Sequence, residues 1–239
     1  MKKITIIGDL HGRTTWRQMV DENPDSDLYI FMGDYFDSFD IDIMSQMHNF
    51  RDLINFKKEN TDKVITLLGN HDFHYTSGCI GTYSGFHYSL LFNMKLELDE
   101  LIRDGILVMA HQIDKYLFTH AGVTKTFCED WKIDTENLVQ SLNDHLIHKP
   151  MVFNFRAGKR YSAYGDDITQ GPLWVRPTSL MEDGLDYMHV IGHTEKMTIE
   201  SVFNDNGPGY INTDSQKYGN YLELIIPDNG DIQVNIKKL

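Results

Sequence analysis

The sequence predicts an α/β protein whose β-sheets are covered by helices. Three observations predict it. Short β-branched runs alternate with helical stripes through the first half of the chain. Each of the first three runs stops at a glycine followed by Asp or Asn, in Gly8-Asp9, Gly33-Asp34 and Gly69-Asn70. The second half is rich in short strand-like segments.

The elements follow in order. Lys3–Ile7, Leu28–Met32 and Val64–Leu68 read as buried strands, each stopped by its turn residue. Ile43, Met47, Phe50 and Ile54 keep helical spacing on one face. Tyr88, Leu91, Met94, Leu98 and Leu101 do the same, and so do Leu138, Leu142 and Leu146, with Asp134 as the expected N-cap. Further strands are expected at Ile106–Ala110, Lys115–Thr119, Tyr187–Ile191, Thr198–Phe203, Tyr221–Ile226 and Ile232–Ile236. The last two flank Pro227-Asp228-Asn229-Gly230-Asp231, a hairpin turn signal. The stretch His148–Gln170 has no periodicity and is expected to form a long loop over the site. No internal repeat or low-complexity tract interrupts the chain, so one domain over residues 1–239 is expected.

Composition narrows the function classes. The chain is 41% hydrophobic and 24% charged, which suits a globular protein with a sizeable core. Its net charge of −13 and the lack of a basic stripe argue against nucleic acid and against an anionic membrane surface. Cys79 and Cys128 form neither a C-x-x-C pair nor a disulfide framework. The first apolar run ends after Ile7, short of the roughly 7–15 residues of a secretory core, and no run reaches the about 18 of a membrane span. A reduced, cytoplasmic protein is the expectation.

The chemistry-bearing residues share one placement. They stand just past the C-terminal ends of predicted strands, where parallel sheets bind ligands. Asp9 and His11 follow the first strand, Asp34 and Asp37 the second, and Asn70, His71 and Asp72 the third. His120 and His193 follow two later ones. A set of carboxylates, imidazoles and an amide without thiolate suits a divalent ion such as Mn, Fe(II) or Zn.

Gly8-Asp9-Leu10-His11-Gly12, Gly33-Asp34-Tyr35-Phe36-Asp37, Gly69-Asn70-His71-Asp72, His120-Ala121-Gly122 and Gly192-His193-Thr194 together resemble, in order and rough spacing, the calcineurin-like metallophosphoesterases. The resemblance is nearest to the branch holding Ser/Thr phosphoprotein phosphatases and bacterial diadenosine tetraphosphate hydrolases. It implies a four-layer αββα sandwich with two mixed β-sheets flanked by helices. It also implies two divalent metal ions, manganese above iron or zinc, and a metal-bound water or hydroxide that attacks a phosphate monoester. Asp9 and His11 would bind one metal, Asp34 would bridge, and Asn70, His120 and His193 would complete the second. His71 would protonate the leaving group, oriented by Asp37, and Arg176 would hold phosphate. Metal ions would then supply the local positive charge that an acidic chain needs for an anionic substrate.

Departures bear on the substrate. Phosphoprotein phosphatases continue the second motif with Arg-Gly, where this chain has Ser38-Phe39. Arg156 or Arg160 is offered as the replacement. Asp72 stands where those enzymes carry Glu, and the second histidine of a Gly-His-x-His motif is absent. The leading expectation is a Ser/Thr-type phosphoprotein phosphatase. The alternatives are a hydrolase of dinucleoside polyphosphates or other small phosphate esters, and a non-catalytic scaffold of the same fold.

Several residues also admit structural readings. Asp37 could cap a helix beginning near Ile41, and Arg176 could form a surface ion pair. Arg13 reads as solvated, His74 as having no role, and the Tyr83–Tyr88 aromatics as core rather than a stacking platform.

Overall fold

A computed structural model describes residues 1–158, 165–204, 207–228 and 232–239. The first half runs β1 (Lys2–Ile7), α1 (Trp16–Asp21), β2 (Leu28–Phe31), α2 (Ile43–Glu59), β3 (Val64–Leu67), α3 (Asn70–Phe73), α4 (Tyr88–Arg103), β4 (Leu107–Val108), β5 (Ala110–Ile113) and β6 (Tyr116–Thr119). The second runs α5 (Lys125–Trp131), α6 (Leu138–His148), α7 (Pro177–Asp183), β7 (Met188–Ile191), β8 (Glu200–Val202), β9 (Gly209–Asn212), β10 (Asn220–Ile226) and β11 (Gln233–Lys238).

These strands make two mixed sheets, ordered β11-β10-β1-β2-β3-β4 and β5-β6-β7-β9-β8. In the first, β1 through β4 are parallel and β10 joins β1 antiparallel. In the second, β6, β7 and β9 are parallel. Two-residue alternation assigns each side chain to a layer. Ile4 and Ile6 of β1 point into the core between the sheets, where they join Ile30, Phe118, Val190, Ile211 and Leu222. Ile7, Tyr29 and Phe31 point the other way, onto Met47, Phe50 and Leu53 of α2 and Met94 and Leu98 of α4. Ile191 and Tyr210 of the second sheet meet Leu180 of α7. The order helix, sheet, sheet, helix is the four-layer sandwich that the resemblance implied. Each fully buried Ile or Phe contributes about 1.5–3 kcal/mol, so a charge at Ile6 would break the inter-sheet layer.

Local outcomes differ from the sequence reading in four places. The apolar run Ile106–Ala110 is two strands, β4 in the first sheet and the start of β5 in the second. The side chain of Asn143 holds the crossing, accepting from the amides of Met109 and Ala110 at 2.8 and 3.0 Å and donating to the Ala110 carbonyl at 3.1 Å. The run looks continuous because every residue in it is apolar. Asp134 is not the N-cap of α6, since Asn137 precedes the helix. Its carboxylate instead accepts the amides of Glu136 and Asn137 in a turn before it. The buried face of α4 is Leu90, Met94, Leu98, Leu101 and Ile102, while Tyr88, at the head of the expected stripe, is 79% exposed. The expected loop His148–Gln170 contains a 3₁₀ turn at Pro150–Phe153, and its residues 159–164 lie outside the described ones. The tip of the expected β10–β11 hairpin, residues 229–231, lies outside them too. No helix among the described residues is long and apolar enough to cross a membrane.

Candidate metal centre

The parallel strands deliver their trailing residues to one place. Asp9 and His11 come from beyond β1, Asp34 and Asp37 from beyond β2, and Asn70 and His71 from the start of α3 after β3. His120 and His193 come from beyond β6 and β7 in the other sheet. The chain turns sharply to aim them. Of the six non-glycine residues with positive φ among the described residues, four are His11, Asp34, Asp37 and His193. Asp and His tolerate this region better than most residues, and such backbone strain gathers at functional sites. Close approach also requires glycine twice. A methyl at Gly69 would stand 2.1 Å from Asp34 Oδ1, and one at Gly192 would stand 2.0 Å from Asp9 Oδ1.

Donor atoms converge around Asp34. Its Oδ2 is 3.3 Å from His120 Nε2 and 3.9 Å from His11 Nε2. Asn70 Oδ1 is 2.8 Å from both His120 Nε2 and His193 Nδ1. Asp9 Oδ2 accepts the His193 amide at 2.9 Å. Asp9 Oδ1 is buried with no hydrogen-bond partner among the described residues. The Phe36 and Met32 carbonyls accept from Nδ1 of His11 and His120 at 2.7 and 2.8 Å, which turns each Nε2 toward the cluster. Ligand atoms of Asp9, Asp34 and His120 lie within 4.8 Å of one another. The orphaned carboxylate oxygen and the oxygen–imidazole donor set fit divalent metal ions.

Residues 2–197 match the family model described as calcineurin-like phosphoesterase. The chain belongs to the calcineurin-like phosphoesterases. That membership supports metal-dependent phosphoester hydrolysis. The chain is similar to a symmetrical bis(5'-nucleosyl)-tetraphosphatase of Haemophilus ducreyi, 28% identical over 139 residues. The match covers 54% of this chain and 47% of that relative, about half its length. Its fold is similar to a protein serine/threonine phosphatase of Saccharomyces cerevisiae that is described as similar to human phosphatase PP5. There the TM-score is 0.53 and the identity 14%, with 100% of this chain and 80% of that one covered.

Electrostatics of this carboxylate and imidazole cluster follow first from burial. Burial, and then Asp214, push the Asp9 carboxyl well above its usual range. Burial acts on Asp34 in the same sense, but His120 and His71 outweigh it and hold that carboxyl well below its usual range. Burial likewise opposes charge on His120, yet Asp34 and Asp9 raise it to about 10. Asp214, beyond β9, is lifted to about 7 by burial and by Asp34. The centre is therefore an acidic cluster that protonated imidazole partly neutralises, and divalent cations would take over that task.

The remaining expected residues are placed as follows. Asp37 Oδ2 is 2.7 Å from His71 Nδ1, so Asp37 does not cap a helix. Asp42 caps α2 instead. Asp37 Oδ2 is also 2.7 Å from His74 Nε2, and Asp37 Oδ1 accepts the Tyr75 hydroxyl. His74 therefore has a contact that the sequence reading missed. Asp72 accepts the amides of Asp34, Tyr35 and Gly69 at 2.7–2.9 Å and ties the second and third loops together. Arg176 Nη1 donates to Thr194 Oγ1 at 3.1 Å, and the residue lines a cavity of about 280 Å³ with Asn70, His71 and His193. Half-buried Tyr83 lines it too, so that aromatic is not purely core.

A second cavity of about 170 Å³ holds His11, Arg13, Ser38, His71, Asp214 and Lys217. Arg13, read from sequence as solvated, has a side chain only 18% exposed there. Arg156, offered for the arginine missing at Ser38, lines neither of these cavities. Its guanidinium is 3.6 Å from Asp130 and lies over the Trp131 ring. Arg160 lies outside the described residues. Asp214 follows a buried strand just as Asp9 does, so the strand-end signal would have found it.

Proposed function

We propose that the chain hydrolyses phosphate monoesters at a two-metal centre built on Asp34. The convergence of Asp34, Asn70 and three imidazoles from two sheets, beside the unpartnered Asp9 oxygen, carries this reading. Asp9 and His11 would hold one ion and Asn70, His120 and His193 the other, with Asp34 within reach of both sets. Bound divalent ions, manganese foremost and iron or zinc next, supply Lewis acidity and a water whose pKa falls toward about 7.

The protein's own groups do the rest. Asp37 fixes His71 through Nδ1, which leaves Nε2 to give its proton to the leaving oxygen. Arg176 lies on one side of His71 and Arg13 on the other, and both offer donors to phosphate oxygens. Arg13 takes the part expected of Arg156 or Arg160.

The test is hydrolysis of p-nitrophenyl phosphate and glycerol 2-phosphate by metal-stripped protein reloaded with manganese, iron or zinc. Metal-dependent release that falls at least about 100-fold in Asp34→Asn and in His71→Asn is expected. Equal turnover in Asp34→Asn, or none with any metal, would overturn the reading.

A further inference from the structure

We propose that Tyr83, Phe155 and Trp174 form a subsite for a planar aromatic ring on the alcohol side of the ester. The proposal deepens the phosphomonoesterase reading and rests on it for the direction in which the ester lies.

The three rings come from separate segments and meet at the metal centre. Tyr83 follows α3, Phe155 follows the 3₁₀ turn, and Trp174 precedes α7. Tyr83 and Trp174 have centroids 4.4 Å apart, tilted by 56°. Phe155 stands at 74° to Trp174 with centroids 5.4 Å apart. Trp174 is pinned, since its Nε1 donates to the Phe153 carbonyl at 2.8 Å. Its ring is also edge-on to His193 at 6.1 Å. The wall therefore abuts a proposed metal ligand.

Tyr83 and Phe155 are only half-buried, and both line the about 280 Å³ cavity that opens onto His71 and Arg176. That volume accepts one planar ring system. A rigid aromatic wall that faces water beside polar chemistry gains by covering its faces with another ring. His71 lines this cavity as well as the smaller one that holds Arg13, and the wall of Tyr83, Phe155 and Trp174 stands in this one alone, so a ring carried by the leaving oxygen is covered on this side. An aliphatic alcohol such as a serine side chain would leave the wall uncovered. Nucleobases and monocyclic arenes share the required chemistry.

The test uses the full chain loaded with manganese. Two pairs matched in leaving-group basicity differ by the ring, adenosine 5'-monophosphate against ribose 5-phosphate and benzyl phosphate against glycerol 2-phosphate. A kcat/KM ratio of about ten or more in at least one pair is expected. The ratio should fall toward one in Tyr83→Leu and in Phe155→Leu, each checked for folding by circular dichroism. Preference in the first pair alone assigns a nucleobase, and in the second alone a monocyclic arene. Affinities of the first pair, measured by calorimetry, give a binding ratio that does not depend on turnover. Absence of hydrolysis on every substrate would therefore count against the phosphomonoesterase reading while the binding ratio still decides the subsite. Ratios near one in wild type, or ratios that survive both substitutions, overturn the subsite.

Discussion

Asp34 shows how much of the centre depends on backbone rather than on side-chain identity. Its φ of 52° is reached because Gly33 and Gly69 leave room, and because Asp72 accepts its amide at 2.8 Å. The carboxylate is then held by the His71 amide on one oxygen while the other faces His11 and His120. In Gly69→Ala the new methyl would lie 2.1 Å from Asp34 Oδ1 and 2.3 Å from its amide nitrogen. Misplacement of this size is expected to lower kcat/KM about 100-fold or more and to weaken manganese affinity, with the circular dichroism spectrum unchanged. A kinetic and manganese titration of the variant checks it, and wild-type values would show that the chemistry tolerates a displaced Asp34. At this scale the candidates from Asp9 to His193 were legible, because each follows an apolar run, most of them at a glycine turn. His74 was not, because only the fold brings it to Asp37.

Elements position these residues through their ends. Helix α2 covers Tyr29 and Phe31 with Met47, Phe50 and Leu53, and its N-terminus is closed by Asp42, which accepts the Ser45 amide at 3.0 Å. Asp42→Ala is expected to cost about 1 kcal/mol in urea unfolding, with hydrolysis unchanged. Strand β7 carries a different liability. His189 is fully buried and donates from Nε2 to the Leu185 carbonyl at 2.9 Å. Burial pushes its pKa down from 6.5 to about 4. Below pH 6.5 the unfolded chain binds this proton first, so the contribution is whole above 6.5 and is lost as pH falls toward 4. About 2 kcal/mol should disappear between pH 7 and pH 5. Urea midpoints at the two values check it. His189→Gln should lack this slope, and an equal slope would assign the acid loss to other groups. Stripe periodicity identified the three long helices, yet Tyr88, Phe92 and Leu96 of α4 face solvent because apolar residues occupy both of its faces. Period alone could not choose between them.

The whole molecule packs two sheets face to face and brings the ends of their strands together over buried carboxylates. Asp9, Asp34, Asp72 and Asp214 are all at least 92% buried by relative exposure, and that burial, followed by their mutual repulsion, raises the pKa of Asp9, Asp72 and Asp214. Divalent ions would relieve that repulsion across both sheets. Manganese at 100 times its dissociation constant is expected to raise Tm by roughly 5–10 °C. Chelator should reverse the gain, and Asp34→Asn should lack it. A calorimetric scan with and without metal checks this, and a Tm indifferent to manganese would deny the ions a place at the junction.

The sequence by itself determined the alternation of strands and helices, the strand-end placement of Asp, Asn and His, and through five ordered motifs the family. These are local facts, since an apolar run, a glycine turn and a polar residue lie within ten residues of one another. Only the tertiary structure decided which residues meet. It split Ile106–Ala110 between two sheets, turned Arg156 to Asp130, brought Arg13 into the cavity with Ser38, and set Tyr83, Phe155 and Trp174 side by side. Those neighbours come from distant stretches of chain. Their meeting depends on sheet order and on which face each element buries, and neither is encoded in the spacing of residues along one strand or helix.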